Sequence, residues 1–158
     1  MRMMRYYTRR RPHVDRCASA WLLKRFVDPK AEFAFVEEGG RLAGAIPFDM
    51  SGVELGHHRG RCTFEAILAK HKLKDPALAE LGRIVRSADL LDADETLEGP
   101  GLELLFQGML HLTEDDQRVL ALAEPVLDAL YAALRERGGS RAQRLRRGSS
   151  RKTIGDRS

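Results

Sequence analysis

Apolar positions come in short runs bounded by turn residues up to about residue 60, then recur at helical spacing. Tyr6 to Thr8 opens a strand, and Pro12 restricts Arg11 to extended geometry, consistent with a strand ending there. From Asp15 to Phe26, the positions Ala18, Trp21, Leu22 and Phe26 follow a helical period, with Asp15 a candidate N-cap and Asp28-Pro29 a stop. Ala31 to Val36 reads as a strand buried on both faces. Ala45 to Phe48 reads as a second short strand whose Pro47 argues for an edge or a strand end. Gly52 to Leu55 is a further extended piece, followed by the loop Gly56-His-His-Arg-Gly60.

The second half is helical. Thr63 to Lys70 turns Phe64, Ile67 and Leu68 inward, and Asp75-Pro76 is a helix start continued by Leu78, Leu81, Ile84, Val85 and Ala88. Leu102 to Leu112 follows. Its segment Leu102 to Gly108 resembles a protease site used for tag removal, but its apolar residues fit the helical pattern and read as native core. Thr113 then caps a long amphipathic stretch through Val119, Leu122, Val126, Leu130 and Leu134, which Pro125 must kink or split. The order predicts an α/β fold: a small N-terminal sheet of short strands with a helix-rich C-terminal half, in one domain.

Composition supports that size and refines the charge. With 158 residues, 43% of them hydrophobic, the chain can bury one core, and its two cysteines exclude a disulfide scaffold. No run approaches a membrane span and the N-terminus lacks the apolar stretch of a signal peptide, so the expectation is a cytoplasmic protein without membrane contact. The formal net charge of +4 conceals a division, because residues 12–134 carry 13 basic and 21 acidic side chains. The basic excess lies in the five arginines of the first eleven residues and in the segment after Leu134. Residues 138–158, with Leu145 and Ile154 as their sizeable apolar side chains, read as a basic disordered tail after a domain spanning 1–137. Nucleic acid is a conceivable partner for that tail, though not the favoured one.

Four stretches concentrate reactive groups: His13-Val-Asp15-Arg16-Cys17 at a strand-to-helix junction, Phe48-Asp49, His57-His58 with Cys62 and Glu65, and Asp89 ahead of Asp92, Asp94 and Glu95. If the two junctions lie side by side, these groups converge where α/β domains usually place ligands. Plainer readings stand beside that one. Asp15 suits a simple cap, Cys17 and Cys62 suit small buried apolar groups, His71 and His111 suit structural positions, and Asp92 to Glu95 suits a solvated loop. The spacing meets no standard metal motif.

The run Arg11 to Pro29, the segment Ile46-Pro-Phe-Asp-Met-Ser-Gly-Val-Glu-Leu-Gly-His57, Cys62-Thr-Phe-Glu65, the helix from Asp75 to Asp89 and Asp128-Ala-Leu-Tyr-Ala132 together resemble the C-terminal domain of ChrB-type chromate-resistance proteins. The resemblance implies a stand-alone copy of that domain in a bacterial stress response to chromate or another oxyanion. It carries His57, Cys62, Glu65 and Asp89 at motif positions, with Asp15, Arg16 and Trp21 in the first motif. Ser19 departs from that motif, so His57 and Glu65 carry over more securely than His13 and Cys17.

The resulting expectation is a divalent transition metal (Zn, Fe or Mn) held by His57, Glu65, Asp89, Asp15 and Cys62. Arg16, His13 and His58 stand ready for chromate or another small anion. Two alternatives remain: a chromate-responsive regulator binding DNA through its basic ends, and a metal-dependent phosphoesterase. The second rests on a similarity of the aspartates and the His57-His58 pair to DHH-type phosphoesterases. Oligomeric state and turnover are not legible in the sequence.

Overall fold

The structure is a computed structural model in which residues 3–90 and 96–152 are described, with side chains as far as residue 149. Asp92, Asp94 and Glu95 lie outside the described residues. Strands β1 (Arg5–Arg9), β2 (Glu32–Val36) and β3 (Ile46–Pro47) form one parallel sheet in the order β2-β1-β3. The described residues also form five α-helices: α1 (Val14–Leu22) between β1 and β2, then α2 (Thr63–Lys70), α3 (Pro76–Asp89), α4 (Gly99–Leu112) and α5 (Asp116–Lys152) after β3. This is the single α/β domain that the pattern predicts.

β1 is the central strand, and Tyr6, Tyr7 and Thr8 are all buried. β3 is an edge, as Pro47 requires, since proline can donate nothing to a further neighbour. β2 departs from the expectation of burial on both faces. It is the other edge of the sheet, with Glu32 exposed and Phe33 to Val36 half-buried. Gly52 to Leu55 contributes one bridge, Leu55 to Phe48, rather than a strand.

α1 is almost wholly buried, since Cys17, Ala18, Ser19 and Ala20 are small enough to let the sheet and the other helices close around it. Trp21 anchors the packing with ring contacts to Phe26, Phe64 and Tyr131, and its indole N–H donates to Asp128 at 2.9 Å. The helix then widens into a π-helical turn, Leu23–Val27, closed by the Asp28 amide on the Leu23 carbonyl at 2.8 Å.

Four further expectations meet a different outcome. Arg11 is not extended: its φ is 58°. Its backbone N–H donates to Asp116 at 3.1 Å and its guanidinium to the Leu110 and Thr113 carbonyls, so the joint between α4 and α5 outweighs the preference set by Pro12. Pro125 does not split α5, which runs through it. Ala121, whose carbonyl loses its donor, is exposed, so water can replace the bond. In α4, Leu102 and Phe106 are core, but Leu104 and Leu105 are 70% and 48% exposed. The basic segment is also helical as far as Lys152, although nothing between residues 141 and 149 is buried. Extending an existing helix costs far less than nucleating one.

Candidate metal centre

The two junctions do lie together, with Asp15 at their centre. His13 is the N-cap residue of α1, so Asp15 falls in the first turn and does not cap its own helix. Its carboxylate caps α2 instead. Oδ2 accepts the Thr63 amide at 2.8 Å and Oδ1 the Phe64 amide at 3.0 Å, with the Ser19 hydroxyl donating at 3.2 Å. A buried anion at a helix N-terminus satisfies two amides that have no partner within the helix. Asp15 is 0% exposed, so this carboxylate is built in.

Asp49 reaches the same point from the loop after β3. It sits at φ 48°, a left-handed conformation that aspartate tolerates better than most residues, and its amide is tied to the Leu55 carbonyl at 2.7 Å. The Thr63 hydroxyl donates to Asp49 Oδ1 at 2.8 Å. Arg16 Nε lies 3.0 Å from Asp49 Oδ2, an ion pair whose angle is too poor for a good hydrogen bond. Asp89, the last residue of α3, completes the ring.

His57 stands among these carboxylates. Its Nε2 lies 3.0 Å from Asp15 Oδ2, 3.2 Å from Asp49 Oδ1 and 3.4 Å from Asp89 Oδ2. One N–H cannot serve three carboxylates well. Hydrogen bonds to Asp15 and then Asp49 raise the His57 pKa to about 10, so without a metal it is an imidazolium at neutral pH. Burial, followed by the charges of Asp15 and Asp49, lifts Asp89 to about 6. Burial pushes Asp49 upward too, but the His57 hydrogen bond, the Arg16 charge and the Thr63 hydroxyl together hold it below the usual carboxylate range.

Asp15, His57 and Asp89 each offer a ligand atom, and these atoms all lie within 4.8 Å of one another. One imidazole nitrogen and several carboxylate oxygens suit a divalent transition metal. Charge also fits: a dication in place of the His57 proton would balance three carboxylates together with Arg16.

The other expected residues are engaged elsewhere. Glu65 accepts the Cys62 amide at 3.3 Å and pairs with Arg86 at 3.3 Å, closing the first turn of α2. The Cys62 thiol faces Glu65 and the Gly82 carbonyl, and burial pushes its pKa far up, which opposes thiolate ligation. His58 donates to the Val53 and Glu54 carbonyls at 3.1 and 2.8 Å, folding back on its own loop. His13 is half-buried beside Arg16, its pKa lowered chiefly by burial. The structure adds Asp49, Ser19 and Thr63 to the site. Asp49 stood among the reactive stretches, whereas Ser19 and Thr63 had no signal beyond their places beside Asp15 and the α2 start.

The fold and the site belong to a recognisable class. The profile of the family described as ChrB, C-terminal domain, matches residues 6–134, and the chain belongs to that family. It is 35% identical over 126 residues to Protein ChrB of Cupriavidus metallidurans (strain CH34), an alignment covering 78% of this chain. The chain spans only 39% of that relative's length. No solved structure matches.

Proposed function

We propose that this domain binds one divalent transition metal through Asp15, His57 and Asp89, with the carboxylate of Asp49 as a fourth ligand, and that it acts in chromate resistance. The observation that carries the reading is the convergence of three carboxylates on one imidazole nitrogen. A cation with several bonds meets that demand and a single proton does not. Mn, Fe and Zn all accept such a donor set.

The resemblance to chromate-resistance proteins supplies the setting, while Arg16, paired with Asp49, belongs to the charge balance of the site. Free Cys17 and Cys62 accord with a reducing cytoplasm. Among the described residues no helix is long and apolar enough to cross a membrane.

Elemental analysis of protein purified without chelator is the test. About one equivalent of metal per chain, lost in His57→Ala, supports the reading. A substoichiometric amount of every transition metal, unchanged by that substitution, overturns it.

A further inference from the structure

α1 has a second face. Asp15 and Ser19 look toward the metal centre, while Cys17, Ala20, Trp21 and Lys24, at spacings of three and four residues, line a groove of about 720 Å³. The sheet, at Arg5 of the central strand β1 and Phe33 of the edge strand β2, forms one wall, and Leu120 and Ala121 of α5 form the other. This volume lies within the range of small-molecule sites. Ala20, Leu120 and Ala121 give the lining an apolar part, and Trp21 and Phe33 add flat aromatic side chains to it.

The charges of the lining are unevenly partnered. Arg25 is neutralised by Asp128 and by Glu124, the latter at 3.9 Å. Arg5 and Lys24 have no carboxylate partner among the described residues. Lys24 belongs to the π-helical turn, and such turns recur at functional sites. Glu32, the register neighbour of Arg5 on β2, is the acid of the lining without an ion pair within 4.0 Å among the described residues, and it disfavours a ligand with several negative charges.

We propose that this groove binds a small organic anion with a flat apolar body, the body lying among Ala20, Trp21, Leu120 and Ala121 and the anionic group meeting Arg5 and Lys24. Two cations beside the apolar part of the lining select for one anionic group on a hydrophobic ligand, because each half of the ligand finds its own complement. The site is separate from the metal centre, so it stands or falls independently of the proposed metal.

Trp21 is the chain's one tryptophan and lies in the groove, so its fluorescence reports occupancy. The probe is 8-anilinonaphthalene-1-sulfonate, with uncharged N-phenyl-1-naphthylamine as comparison, titrated into the full chain with and without added Mn²⁺. The expected result is saturable one-to-one quenching of Trp21 by the sulfonate. The exposed double variant Arg5→Gln/Lys24→Gln should weaken the sulfonate about tenfold or more while leaving the amine unchanged. Ala121→Phe should block both ligands while keeping the wild-type circular dichroism. His57→Ala should bind the sulfonate like wild type. Unsaturable quenching, equal affinity in the double variant, or binding undisturbed by Ala121→Phe would overturn the proposal.

Discussion

Asp15 Oδ2 and His57 Nε2 meet at 3.0 Å across 42 residues of sequence, and the same Asp15 oxygen accepts the Thr63 amide. One buried carboxylate therefore both starts α2 and orients the imidazole. Folding and site assembly share this side chain.

Substitution at Asp15 should cost stability whether or not metal is present. Asp15→Ala leaves the Thr63 and Phe64 amides unsatisfied in a buried place, at about 1–3 kcal/mol for each lost partner. The expected total is about 2–6 kcal/mol, read by urea denaturation with chelator present. Asp15→Asn keeps one acceptor and should cost less. A loss below about 0.5 kcal/mol for the alanine variant would mean that α2 does not depend on this cap.

Metal affinity should rise with pH. His57 keeps its proton up to about pH 10 and must release it to bind, so affinity should fall about tenfold per pH unit below that value. Below about pH 6 the protonation of Asp89 adds a second dependence and the slope should approach a hundredfold per unit. Calorimetric titration with Mn²⁺ at several pH values measures both slopes. A flat profile between pH 6 and 8 would exclude His57 as a ligand.

In the metal-free protein the dependence runs the other way. Folded His57 holds its proton to about pH 10, whereas an unfolded histidine loses it near 6.5. The folded state thus binds more protons between those values. Stability from this residue is complete below about pH 6.5 and disappears as pH rises to about 10. The side chain is 40% exposed, so solvent damps the effect, and the comparison with His57→Gln isolates it.

Cys62→Ala and Glu65→Gln should leave metal stoichiometry at the wild-type level, because both side chains are committed to the first turn of α2 and to Arg86. Each should lower the denaturation midpoint, by about 1 kcal/mol in free energy for the lost packing or ion pair. Loss of metal in a folded Cys62→Ala protein would restore the thiol to the ligand set.

Pro125→Ala should stabilise the protein by about 1–2 kcal/mol, since it returns a backbone donor to the Ala121 carbonyl in an exposed part of α5. Thermal melting checks the sign.

The architecture was largely legible from periodicity, because α1, α2 and α3 carry apolar residues at clear helical spacing and α3 has its start signal in Asp75-Pro76. The site was legible in its residue types but not in its pairings. Asp15 was recognisable as a cap, yet the helix it caps begins 48 residues later, and no local pattern encodes that contact. His57 and His58 are neighbours of identical chemistry, separated only by a loop that turns one inward and ties the other to its own carbonyls. Glu65 matched a motif because it closes a capping box, a role that leaves the same mark in sequence as a ligand. The exposure of Leu104 was missed because the whole apolar run was read as core, although two residues from Leu102 and from Phe106 it falls on the opposite side of α4, with Leu105 at the flank.

Paramagnetic broadening addresses the proposed cation site most directly. The chain has five histidines, and substoichiometric Mn²⁺ should broaden the ring resonances of His57 beyond detection while those of His71 and His111 stay sharp. Equal broadening of all five rings, or none at His57, would contradict a cation held by Asp15, His57 and Asp89.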